Sequence, residues 1–389
     1  MCGINGFNFK DVGLIKKMMA LTSSRGPDNQ DFFETEEYTV GHNRLSIIDP
    51  GKRSNQPYYF KNFVLSFNGE IYNYIEIKNR LISKGYSFDT TSDTEVIIKL
   101  FDLEGTNSFK ELSGIFSISI YDVKLKKLYL VRDVVGVKPL YYHYDLKNKK
   151  FIFSSLISSI LISLKDKKLN YEALNSYSNF NRNDYRETFF KNIFKVLPGE
   201  MIEVYNENYK KTKILNFKFN WNKDERELTN DISKKFSNQF LSDVPVALSL
   251  SGGYDSNIIL QELLKNKGVN FTNYSVTFKD SSKFQQDHEI AKKISNHYGV
   301  KFNSIEVSSK DFRDNAEKIV DIVEEPTGNQ NSISNIVLSN NVSEKVLFSG
   351  DGGDEVFTGY NRYRSIFILT LFLKFNFFRG INLKTKNKN

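Results

Sequence analysis

From residue 244 to residue 348, short apolar runs alternate with amphipathic helical patterns. The runs are 244–250, 272–278, 302–307 and 346–348, and the helical patterns are 256–266, 287–298, 311–324 and 332–341. Strands that are apolar throughout and separated by helices need both faces of their sheet covered. This stretch is therefore expected to form a parallel sheet wrapped by helices. The chain before it has a different texture. Alternating runs at 3–7, 38–45, 63–68, 115–121, 127–132, 140–144 and 150–153 predict strands joined by short returns. Helices are expected only at 12–21, 74–83 and 93–103, the last carrying the apolar stripe Val96, Ile97, Leu100 and Phe101. An Asn- and Lys-rich stretch, 206–223, separates the two textures and reads as a linker.

Composition narrows the function. Cys2 is the single cysteine, so no internal disulfide can form, and the four histidines are too scattered to suggest a metal site. Lys16 and Lys17 interrupt any signal-peptide core, and the apolar stretch 366–373 is far shorter than the ~18 residues of a membrane span. A soluble, cytoplasmic chain with no membrane partner is expected. The balance of 54 Lys and Arg against 46 Asp and Glu gives +8, but the basic residues are spread along the chain, which argues against a nucleic-acid partner. The final nine residues, INLKTKNKN, are expected to be disordered.

Cys2 stands directly behind the initiator methionine. Removal of Met1 would leave a thiol of pKa ~8.5 and an α-amine of pKa ~8 on one residue. The amine can then take the thiol proton, so nucleophile and base need no histidine. A lone Cys at position two proves little, but ordered blocks follow it: RGPD (25–28), NRLSIID (43–49), NGEIYN (68–73), SDTE (92–95), LSGIFSISIYD (112–122), RDVVGVKPLYY (132–142) and VLPGE (196–200).

Together these blocks resemble the glutamine amidotransferase domain of the asparagine synthetase family. The resemblance implies an N-terminal-nucleophile fold, an αββα sandwich, over residues 1–205. It also implies that Cys2 attacks the side-chain amide of glutamine, and that Arg44, Leu45, Ser46, Ile47, Ile48, Asn68, Gly69, Glu70 and Asp93 line the glutamine pocket. The chemistry agrees. A zwitterion needs a cation for its carboxylate, here Arg44, and an anion for its ammonium, here Asp93. Attack on an amide builds an oxyanion, for which the Asn68 side chain and the Gly69 N–H are the expected donors.

A second constellation follows. In VPVALSLSGGYDS (244–256) an apolar strand runs through a glycine turn into a helix, a geometry that binds anions but lacks Walker spacing. It resembles the pyrophosphate loop of enzymes that split ATP to AMP and pyrophosphate. In FSGDGGDEVFTGYNRY (348–363), Asp351, Asp354 and Glu355 fall close together, which is costly unless a cation binds. This segment is similar to the synthetase signature of the same family. The resemblance implies an ATP-pyrophosphatase-type α/β synthetase domain over 224–389. In it, Leu250, Ser251, Gly252, Gly253, Asp255, Ser256, Val276, Ser349 and Gly350 hold ATP. Asp351, glutamate in many members, serves formation of a β-aspartyl-AMP, and Asp255 and Asp354 contact magnesium on the nucleotide. Family members continue well beyond this length, so the second domain is expected to be incomplete at its C-terminus and weakened as a synthetase. FSSLISSIL (153–161) also lacks the family's usual acidic residue.

The expected activity is ATP-dependent amide synthesis with glutamine as nitrogen donor and aspartate as acceptor, in a chain that could form a homodimer. Two alternatives stay open: the same chemistry on a sugar acid or another carboxylate in surface-polysaccharide synthesis, and a shortened chain with only a glutaminase or binding role.

Overall fold

The computed structural model describes residues 1–183, 186–217, 224–266, 268–278, 282–327, 329 and 331–374. The first strands are β1 (Gly3–Phe7), β2 (Asn29–Glu34), β3 (Thr39–Arg44), β4 (Tyr58–Phe60), β5 (Phe63–Ile71) and β6 (Gly114–Asp122). They are followed by β7 (Lys127–Arg132), β8 (Tyr141–Asp145), β9 (Lys150–Ser154), β10 (Phe194–Lys195), β11 (Glu200–Tyr205) and β12 (Asn208–Lys213). Helices α1 (Val12–Leu21), α2 (Tyr74–Ser83), α3 (Asp93–Glu104), α4 (Ile157–Leu161) and α5 (Tyr171–Phe180) interrupt them.

The strands form two six-stranded sheets, β10-β8-β9-β1-β3-β2 and β12-β11-β7-β6-β5-β4. Side-chain alternation sorts the sheet faces. Ile4, Val40, Val64, Leu130 and Phe153 meet in one core drawn from both sheets. Phe7, Ile152 and Ile193 pack instead with Ile15, Met18 and Met19 of α1 and with Ile157 and Ile160 of α4. Leu65, Phe67, Phe116 and Ile118 pack with Ile97, Ile98 and Phe101 of α3. The result is the expected αββα sandwich. Helices α1 and α3 are pinned at their starts by side-chain caps: Asp11 accepts from the Leu14 N–H and Ser92 from the Thr94 N–H.

One expectation needs correcting. Residues 208–213, expected in a linker, form β12, which pairs with β11 from Glu200↔Lys213 to Tyr205↔Asn208. The polar composition is that of an edge strand whose lysines face water, not of an unstructured connection. Residues 218–223 lie outside the described residues.

Beyond the sandwich come α6 (Glu225–Gln239), β13 (Val246–Ser249), α7 (Tyr254–Lys265), β14 (Phe271–Phe278), α8 (Ser282–His297) and β15 (Phe302–Val307). Then follow α9 (Ser309–Val323), α10 (Asn331–Asn341), β16 (Val346–Phe348), α11 (Gly353–Phe357) and α12 (Asn361–Lys374). The parallel sheet runs β15-β14-β13-β16. Packing divides the chain into Met1–Val246 with Val307–Val346, and Ala247–Glu306 with Leu347–Asn389. This differs from boundaries at 205 and 224. The segment carrying α9 and α10 joins the first unit through a carboxylate of Glu324 on the Ile157 and Ser158 N–H groups, and through the Lys195–Glu325 and Lys345–Asp28 ion pairs at 3.0 and 2.7 Å. The expected disordered tail lies outside the described residues.

Candidate active site

Cys2 sits at the mouth of β1, held by Arg25 and by the Leu45 backbone, whose carbonyl also accepts from its thiol at 3.7 Å. The Cys2 carbonyl accepts the Arg25 Nε–H at 3.0 Å, and the Cys2 Sγ accepts the Leu45 N–H at 3.4 Å. Arg25 comes from the RGPD block, whose Asp28 takes the Ser46 N–H at 2.7 Å and so holds the 44–48 segment. Burial pushes the Cys2 thiol pKa up, and it lowers that of the Met1 amine to about 6.

A cavity opens from Cys2. Arg44, Leu45, Ile47 and Ile48 form one wall, Asn68, Gly69 and Glu70 a second, and Asp93 the end. These nine residues, scattered over ninety positions, were all expected in the glutamine pocket or as its nucleophile; the structure brings them together. Ser46 is the exception: it does not line the cavity, because its backbone is turned onto Asp28. Met1, Gln56, Phe67, Ser92, Thr94 and Lys138 complete the lining. Lys138 and Arg25 lay in quoted blocks without a role, and Gln56 carried no signal in the sequence at all.

Each wall has a local cause. Asn68 and Gly69 lie on β5, paired with Ser117 and Phe116 of β6. A Cβ at Gly69 would come within 2.1 Å of the Ile115 carbonyl oxygen, so only glycine fits there. The Asn68 side chain is fully buried, yet neither its nitrogen nor its oxygen has a hydrogen-bond partner. A buried amide left bare is costly, and such a group marks a place where a ligand belongs. Asp93 opens α3 and accepts the Ile71 N–H at 3.0 Å, so helix and strand hold it jointly.

The charges oppose one another across the cavity. Burial raises the Asp93 pKa to about 6, and burial together with the Asp93 charge raises Glu70 well above the ordinary carboxylate range. One Glu70 oxygen is buried without a partner. Such a pair titrates together and takes up a cation readily, because a bound ammonium offsets both desolvation and repulsion. Arg44 supplies positive charge, but four of its N–H groups already serve the Ile48, Asp49 and Gly51 carbonyls and the Asn55 Oδ1. Those bonds shape the loop, which leaves its Nε–H and its charge for a carboxylate. Lys138, its pKa lowered by burial, adds a second cation.

In the second unit the expected nucleotide residues gather at the C-terminal ends of β13 and β16. These strands are neighbours although two others intervene between them in sequence. Such a switch point is where open α/β sheets bind ligands. Leu250 is buried and donates to the Tyr274 carbonyl at 2.8 Å; Val276 lies two residues further along β14. Ser251, Gly252 and Gly253 turn into the N-terminus of α7, with Ser256 Oγ accepting the Ser251 N–H at 3.2 Å. Gly252 has φ +77°, and a Cβ there would meet the Asp287 carbonyl oxygen at 2.6 Å. Gly350 passes so close to Asp255 that a Cβ would lie 3.0 Å from the Asp255 Cβ, and a Cβ on Gly353 would strike the Asp255 carboxyl. Ser349 Oγ donates to Asp351 at 2.9 Å, and Asp354 lies in the first turn of α11. Backbone N–H groups at a helix start, glycines that admit a close ligand and nearby carboxylates suit a triphosphate with its cation. Among the described residues, no three His, Cys, Asp or Glu side chains are grouped to hold a metal ion by themselves. No helix among them is long and apolar enough to cross a membrane.

With this geometry in place, two family matches cover the chain. Residues 1–215 match the glutamine amidotransferase domain, and residues 227–383 match asparagine synthase. The chain belongs to the glutamine-hydrolysing asparagine synthetase family. Asparagine synthetase (glutamine-hydrolysing) 1 of Bacillus subtilis (strain 168) is 31% identical over 94% of this chain and 60% of its own length. Asparagine synthetase B of Escherichia coli (strain K12) is 27% identical over 92% of this chain and 65% of its own. An amidase of Penicillium rubens is 27% identical over 91% of this chain and 56% of its own. The chain thus spans about three-fifths of the length of these relatives. A solved glutamine phosphoribosylpyrophosphate amidotransferase from B. subtilis overlaps 70% of this chain and 65% of its own, with TM-score 0.42 and 16% identity.

Proposed function

We propose that this chain hydrolyses glutamine at Cys2 and belongs to a machine that passes the ammonia to an adenylated carboxylate, the β-carboxylate of aspartate. The observation that carries the reading is the buried, unpartnered Asn68 amide in the same cavity as Cys2 and the Glu70–Asp93 pair. Glu70 and Asp93 receive the α-ammonium, and Arg44 and Lys138 face the α-carboxylate. The side-chain amide is thereby aimed at Cys2. Once Met1 is removed, the Cys2 amine takes the thiol proton, and sulfur attacks the amide carbon. Negative charge then grows on the amide oxygen, where the Asn68 side chain and the Gly69 N–H are the donors. Collapse expels ammonia and leaves a thioester, which water hydrolyses to glutamate. Met1 lines the cavity, so its removal frees the amine and also clears space.

In the second unit Ser251–Ser256, Ser349 and Gly350 would hold ATP, with Asp255 and Asp354 towards its magnesium. ATP supplies the adenylyl group that activates the acceptor. Asp351, which accepts from Ser349 Oγ, would serve the acceptor's activation. The family names support aspartate as acceptor, while the similarity to a protein named an amidase leaves room for another carboxylate. The reading predicts glutamate release from glutamine and aspartate-dependent ATP–pyrophosphate exchange, assayed separately on the purified chain. Absence of glutamate release from protein that begins at Cys2 would refute the first half, and exchange with no aspartate dependence would refute the acceptor.

A further inference from the structure

His42 is fully buried on β3, and neither the nucleophile nor the pocket charges account for it. Its Nε2 lies 3.0 Å from the Phe67 carbonyl oxygen. The Phe67 N–H donates to Gln56 Oε1 at 2.6 Å, and Gln56 Nε2 donates to Thr94 Oγ1 at 3.2 Å. Phe67 immediately precedes Asn68.

In an antiparallel strand the N–H and C=O of one residue point to the same side. At Phe67 that side is the edge of β5 turned away from β6, where β4 pairs only with residues 63–65. The two backbone groups of Phe67 therefore lack a neighbouring strand, and two buried side chains take its place. Burial lowers the His42 pKa to about 4, so its ring is neutral and Nε2–H is the donor to the carbonyl. This clamp holds the peptides on both sides of Phe67, the second of which leads into Asn68 with its bare amide.

We infer that His42 and Gln56 are positioning residues for the oxyanion donor: together they replace the missing strand at Phe67 and hold Asn68 aimed at the carbon that Cys2 attacks. The inference rests on the glutaminase reading above. A donor that meets its charge only in the transition state should, when misaimed, slow turnover without weakening substrate binding. A side chain that merely filled the core would lower stability and leave the ratio of the two constants alone.

The test is glutaminase kinetics on the full chain for H42L and H42Q, with thermal unfolding in parallel. H42L removes the donor. H42Q restores an N–H close to the position of Nε2. The expected result is a kcat at least tenfold lower for H42L with KM within twofold of wild type, and recovery of most of the kcat in H42Q. Q56L, cutting the other end of the clamp, should repeat the H42L pattern and decides the matter if H42L does not fold. Amide hydrogen exchange over residues 64–71 reads the same clamp with no reaction. It should accelerate at least tenfold in H42L and Q56L but not in H42Q. Equal kcat losses in H42L and H42Q, a loss confined to KM, or unchanged exchange would overturn the inference. A wild-type chain that hydrolyses no glutamine would instead refute the functional reading, and the exchange pattern would still decide the positioning.

Discussion

At the scale of single residues, the proposed function separates groups that bind glutamine from groups that act on developing charge. On that reading the Asp93 carboxylate meets an ammonium that is present before and during reaction, so Asp93→Asn should raise KM for glutamine while kcat changes little. Asn68→Ala removes a donor to the oxyanion and should lower kcat by about 10²–10³ with a near-normal KM. Steady-state kinetics on both variants check the division. Acidity offers an independent reading. With Asp93 raised to about 6 by burial and coupled to Glu70, protonation below that pH removes the charge that holds the ammonium. KM should therefore rise as pH falls through about 6, and in Asp93→Asn this limb should shrink. Cys2→Ala should abolish glutamate release, and intact-mass measurement of active wild-type protein should find Cys2 at the N-terminus. An active sample that retains Met1 would contradict the role given to the α-amine.

At the scale of elements, Glu324 does what a local cap could not. It ends α9 in a left-handed conformation, φ 58°, and its carboxylate takes the Ile157 and Ser158 N–H groups at the start of α4. The residue in front of α4 is Leu156, which offers no side-chain acceptor. The N–H groups at the start of α4 are thus satisfied from a remote part of the chain. Glu324→Ala should cost about 1–2 kcal/mol, the value of a lost N-terminal cap, and Glu324→Gln, which keeps an acceptor, should cost less. The measurement is the urea midpoint of the first unit at unchanged m-value.

At the scale of the whole molecule, the two units differ in how much apolar surface they bury. The sandwich is filled by packed cores within and outside its two sheets. In the second unit Ile366, Phe367, Ile368 and Leu369 follow one another along α12, each at least half exposed. Consecutive apolar residues in water contribute nothing to stability and invite a covering surface. Calorimetry should therefore resolve two transitions, with the second unit melting first. On the proposed reading magnesium-ATP binds only the folded second unit and should raise the lower transition, by about 2.7 kcal/mol at a hundredfold excess over Kd. A glutamine analogue should raise only the upper one. A single transition moved equally by both ligands would contradict this assignment.

Much of this protein could be read from residues in order. β1, β7, β15 and β16 and helices α1 and α2 have the expected bounds, because their periodicity is strong and their ends carry caps or turns. The family also follows from blocks such as NRLSIID, NGEIYN and SGGYDS, where the chemistry requires particular side chains at particular spacings. Sequence alone did not yield β12, an edge strand whose lysines mimic a linker, or β2 and β4, too short or too polar to show a period. Nor could it show that Ser46 turns out of the cavity, that four of the Arg44 N–H groups serve its own loop, or that Gln56 and His42 hold Phe67. Those facts depend on where backbone donors and acceptors fall after two sheets have packed. Local sequence determines which groups a segment carries, but only the closed tertiary structure decides which of them are left without a partner.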